Sequence, residues 1–137
     1  MRLGSRSEKE RKMQYICLIY HDERVFQRMS ASEIETMQRE ARAYDERLGK
    51  EGKIVMARPL KLPHSARTVR IRAKKRHIMD GPFAETKEQL IGFVLIEAET
   101  MDEAVELASM SPLARTGFIE VRGLSFHGDP ELEQPKT

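Results

Sequence analysis

Residues 79–98, MDGPFAETKEQLIGFVLIEA, constrain the fold of this chain more than any other stretch. An Asp-Gly-Pro turn and a run of polar and charged residues lead directly into the apolar segment Leu90–Ile96. Gly and Pro punctuate a chain, and a short apolar run bounded by turn residues predicts a buried strand. The chain is therefore expected to leave one strand at Asp80, cross a tight polar loop and re-enter the interior. Asp80, Glu85, Thr86, Lys87 and Glu88 crowd into that loop. A polar loop held between buried strands exposes its groups to water and ligands while the scaffold fixes them.

The remaining elements are read outward from this point. Tyr15–Tyr20 is a nearly continuous apolar run suited to a central strand, ended by His21-Asp22-Glu23. Ser30 and Glu33 have capping-box spacing, and Ile34, Met37, Ala41, Tyr44 and Leu48 follow as one helical stripe that Gly49 is expected to stop. Lys53–Ala57 predicts a second strand, followed by a stiff connection through Pro59 and Pro63. Thr68–Arg72 alternates in the manner of a strand, and a basic turn near Lys74-Lys75 returns through His77–Met79 as a hairpin. Thr100 and Glu103 open a second helix as another capping box, Ser111-Pro112 breaks it, and Gly117–Leu124 predicts the last strand. Two crossover units around an antiparallel middle predict an α+β, ferredoxin-like sandwich with one extra β-hairpin. Two helices cover one face of such a sheet, so the other is expected to be buried in a homodimer.

Length and charge narrow the classes further. A chain of 137 residues has room for one domain, set at 13–126, with residues 1–12 and 127–137 expected as disordered extensions. No window approaches the ~18 apolar residues of a membrane span, and the N-terminus lacks the apolar core of a signal peptide, so the expectation is a cytoplasmic protein with no membrane partner. The lone Cys17 sits in an apolar run and reads as a buried, inert thiol. The basic run at 70–77 holds no aromatic residue, which argues against base stacking and for a solvated hairpin edge without a nucleic-acid partner. His21, His64, His77 and His127 lack zinc-type spacing, and no phosphate loop, GxSxG elbow or dinucleotide fingerprint occurs, so neither a metal nor a cofactor is expected.

The segments MQYICLIYHDE (13–23), LKLP and ARTVR within 60–70, DGPFAETKEQLIGFVLIEA (80–98), MDEAVELA (101–108) with Pro112, and IEVR (119–122) resemble the YCII-related family in its DGPF-motif branch. The resemblance implies a dimeric ferredoxin-like fold of the dimeric α/β barrel type, with a cleft beside the sheet. It also implies a frequent gene neighbourhood with extracytoplasmic-function sigma factors, and no established reaction. YCII-like proteins resemble one another in a His on the first helix, which helix 30–48 lacks, and His21 stands where the branch commonly has Gly.

The leading expectation is a small-molecule binder with a regulatory role. Its site residues are Asp80, Glu85, Thr86 and Lys87, and Lys87 suits an anionic organic ligand by charge. The alternative is a cofactor-free lyase, isomerase or dehalogenase-like enzyme with Asp80 as base and His21 or Tyr44 as proton partner. A third reading is an interaction module linked to sigma-factor regulation. Phe83 is expected to wedge the loop onto the core. Asp80 is equally readable as a turn cap, and Tyr44 as a core residue in search of a hydrogen-bond partner.

Overall fold

The computed structural model describes residues 13–126 and 128–131; the proposed extension 1–12, His127 and the end of the C-terminal tail lie outside the described residues. Strand β1 (Met13–His21) leads through two helices, α1 (Glu23–Arg28) and α2 (Ala31–Lys50), to β2 (Ile54–Pro59). A 3-10 turn at Pro63–Ser65 precedes β3 (Arg67–Arg72) and β4 (Lys75–Asp80), and β5 (Gln89–Ala98), α3 (Met101–Ser109), α4 (Leu113–Thr116) and β6 (Phe118–Gly123) complete the order.

The strands form two sheets. Four antiparallel strands lie in the order β2-β5-β1-β6, a ferredoxin-like arrangement, while β3 and β4 pair only with each other. This corrects the expectation of a ferredoxin-like sandwich of the α/β barrel type with a hairpin added to it: the hairpin is a separate two-stranded sheet, and neither sheet closes into a barrel. The physical reason lies in the edges. β2 ends in Pro59, which cannot donate to a ladder, and β6 lies at the other edge, so the larger sheet ends open on both sides.

The apolar runs decide the centre of the sheet. Tyr15, Cys17 and Ile19 of β1 and Val94, Ile96 and Ala98 of β5 point to one face and pack with Leu48 of α2 and Ala104, Leu107 and Ala108 of α3. The alternate residues, Ile16, Leu18 and Tyr20 opposite Leu95, Phe93 and Leu90, are only half-buried on the other face. Burial also raises the pKa of the Cys17 thiol to about 11, which fits the inert role expected of it.

Helix starts follow the sequence and one stop does not. Ser30 Oγ accepts from the Glu33 amide and Glu33 returns to the Ser30 amide, each at 3.1 Å. α2 passes through Gly49 to Lys50, and Gly52, at φ 70°, takes the left-handed position beyond its end. At α3 only half of the expected box forms: Thr100 accepts from the Glu103 amide, while the Glu103 carboxylate pairs with Lys53 Nζ at 3.1 Å, tying α3 to the start of β2.

Candidate functional site

The loop after β4 begins with a glycine that the geometry requires. Gly81 has φ 88°, a region closed to most side chains, and its amide donates to Ala66 O at 2.6 Å while its carbonyl accepts from Thr68 Oγ1 at 2.9 Å. The chain is thereby bent off the hairpin. Thr86 Oγ1 donates to Glu88 O at 2.6 Å and Gln89 Nε2 donates to Thr86 O at 2.7 Å, closing the loop just before β5. Opposite the end of β1, β5 carries a bulge: Ile19 faces Gly92 and Tyr20 faces Leu90, so Ile91 is left without a partner on β1 and faces a cleft.

That cleft, about 810 Å³, lies between the loop, the end of β1, α1 and the Pro63 turn. Its apolar wall is Phe26, Leu62, Pro63, Pro82 and Ile91. Its polar wall holds Asp22, Glu23, Asp80 and Glu85 against Arg24 and Lys87, with His21, His64, Thr86 and Gln89 between them. A space of this size with an apolar wall facing a polar one falls in the volume range of small-molecule sites.

His21 is built into the floor. It is 1% exposed, its ring stacks on Phe26 at 3.9 Å, and Nδ1–H donates to Asp22 O at 3.2 Å. Nε2 is hydrogen-bonded to the Thr116 hydroxyl at 2.8 Å. Both nitrogens are thus committed to protein partners. Asp22 caps α1: its carboxylate accepts from the Arg24 amide at 2.9 Å and from the Arg24 guanidinium at 3.2 and 3.1 Å. Those bonds hold the Asp22 carboxyl below the usual carboxylate range, with the nearby Lys87 charge adding to them.

Of the residues singled out from sequence, Asp80, His21, Glu85, Thr86 and Lys87 meet at this cleft, and Tyr44 does not. Tyr44 lies between α2 and the sheet, where its hydroxyl donates to Leu107 O at 2.6 Å, supplying a carbonyl at the end of α3; burial raises its pKa. Asp80 stands at the rim with its side chain 92% exposed and forms a 3.7 Å ion pair with Arg67, its cross-strand neighbour, rather than capping the turn. Phe83 corrects the sequence reading outright: it is 85% exposed and wedges nothing onto the core, because the bend at Gly81 and Pro82 aims it outward. Sequence reasoning missed Arg24, Phe26 and Leu62. α1 has six residues, too few for a periodic stripe, and the available signal was Asp22 as a helix cap two residues before Arg24. Among the described residues no cluster of His, Cys, Asp and Glu is arranged to hold a metal ion, and no helix is long and apolar enough to cross a membrane.

Fold and cleft together define a small mixed α/β domain with a polar-rimmed cavity at a strand end. The chain belongs to the YCII-related domain family, whose model matches residues 13–125. It is similar to an uncharacterised protein of Rhizobium meliloti (strain 1021), 39% identical over 122 residues that span 88% of this chain and 98% of the relative.

Proposed function

We propose that this protein, in the DGPF-motif branch of its family, binds a small organic molecule in the cleft beside the loop 80–89 and serves a regulatory rather than a rapid catalytic role. The observation that carries this reading is the convergence of Asp80, Glu85, Thr86 and Lys87 with His21 on one cavity of about 810 Å³. Binding is favoured over lyase, isomerase or dehalogenase chemistry because His21 has both nitrogens engaged and Asp80 is open to water, where a base gains nothing from desolvation. Arg24 is neutralised by Asp22, so an anionic group on the ligand has its place at Lys87. A second copy of the chain covers the half-buried face around Leu18 and Phe93, a reading supported by the apolar side chains that alternate with the core there.

A thermal-shift screen of small carboxylates, phenols and amines tests the site. A ligand at a hundred times its dissociation constant adds about 2.7 kcal/mol, a rise of several degrees. For a carboxylate that binds, the rise is expected in wild type and in Tyr44→Phe, and is lost or much reduced in Lys87→Ala. Equal stabilisation of wild type, Lys87→Ala and Asp80→Asn would remove the loop as the site.

A further inference from the structure

We propose that the β3–β4 hairpin is an arm that closes the cleft of a second copy of this chain, so that each cavity is completed by its partner; this rests on the cleft being the ligand site.

The hairpin lacks the packing that a two-stranded sheet needs. Its strands pack chiefly on each other, and every residue of β4 is exposed. Isolated two-stranded hairpins are marginal in water. Register puts Val69 opposite Ile78, and Ile71 opposite Arg76, on one face of the ribbon. On that face Val69 and Ile71 are 59% and 62% exposed, a row of β-branched side chains that the described residues leave largely uncovered. The opposite face carries Arg70, Arg72, Lys75 and His77.

A matching apolar and acidic surface lies at the cleft mouth. Phe83, on the loop that borders the cavity, and Leu62, on its wall, are the other strongly exposed apolar groups of this region, and Glu23 and Glu85 line the same cavity. Charge is divided in the same sense. The hairpin sets Arg67, Arg70, Arg72, Lys74, Lys75 and Arg76 against Asp80 alone, whereas residues 13–66, 81–126 and 128–131 together carry 18 carboxylates against 12 Lys and Arg, so the ribbon and the body attract. One surface supplies an apolar ribbon with basic flanks, and the other an apolar mouth where Glu23 and Glu85 stand beside Lys87, on a body that is acidic as a whole. Because both occur on every copy, a two-fold axis satisfies them twice.

Cysteine pairing across copies tests the arm. Phe83→Cys is mixed in turn with Val69→Cys, Ile71→Cys and Ile78→Cys, all exposed positions whose change leaves the core alone; the native Cys17 is 3% exposed and does not compete. A disulfide forms only where Cβ atoms come within roughly 4.5 Å. The expected result is that wild type sediments at twice 15.8 kDa and that at least one mixture yields a covalent dimer in excess of either variant alone. A wild-type monomer, or a dimer in which no mixture cross-links above the single variants, overturns the proposal. A monomer that retains a short DNA duplex through Arg70 and Arg72 overturns it in favour of a polyanion. Cross-linking in a protein that shows no ligand shift keeps the arm and removes the ligand reading, so the two fail separately.

Discussion

At the scale of single residues, the floor of the cleft depends on a missing side chain. A Cβ on Gly117 would stand 2.3 Å from Tyr20 O and 2.8 Å from the His21 ring, so only glycine lets β6 start against the end of β1 with His21 in place. Gly117→Ala is expected to lower stability by roughly 1–3 kcal/mol, as forced overpacking does. Gly49 is the counter-case. It sits inside α2 with nothing within 4 Å of a new Cβ, and Gly49→Ala is expected to raise stability by about 0.5–1 kcal/mol. Calorimetry of the two variants checks the sign of each, and a Gly117→Ala protein as stable as wild type would contradict the packing described for His21. Little of this was legible beforehand. The sequence singles out His21 by its place at a strand end, but its partners Thr116 and Gly117 are some 95 residues away and carry no local signal. Tyr44 was readable as a residue in need of a polar partner, and Leu107 O is that partner.

At the scale of elements, short-range chemistry was readable wherever a pattern ran long enough. The α2 stripe and its capping box follow directly from residue spacing, and the β3–β4 hairpin from alternation. Its turn is another matter. Ala73 and Lys74 occupy it with φ of 51° and 65°, a conformation that Asn and Gly adopt more readily, so no sequence signal marked its position to the residue. The helix starts make a pH prediction. Arg24 lowers the Asp22 pKa at the start of α1, and the Ser30 backbone amide, followed by its side chain, lowers that of Glu33 at the start of α2. A carboxyl whose folded pKa lies below its unfolded value stabilises the fold above the ordinary carboxylate range, and that contribution is lost as pH falls through the depressed value. Melting temperature is therefore expected to fall as pH drops below about 4, and to fall less in Asp22→Asn/Glu33→Gln. Parallel curves for the variant and wild type would show that the caps do not carry the acid sensitivity.

At the scale of the whole molecule, the order of the strands and of the two longer helices was legible, the short helices α1 and α4 were not, and the pairing was legible only in part. Apolar runs identify β1 and β5 as central strands because only strands buried between neighbours need side chains of that kind throughout. Nothing local tells a hairpin rich in Arg and Lys whether to join the main sheet or stand apart, since that choice is made by what else is free to cover it. The cleft has the same character: the loop 80–89 announces itself, but its opposite wall, Phe26 and Leu62, becomes a wall only when the chain is folded. We propose this cavity as the place where a small molecule binds. Amide chemical-shift mapping of the labelled protein, titrated with a compound that raises its melting temperature, tests this most directly. Perturbed amides are expected to cluster at 21–26, 62–64 and 80–91. Perturbations centred instead on Tyr44, Ala57 and Val94, around the smaller hollow of about 260 Å³ between α2 and the sheet, would contradict it.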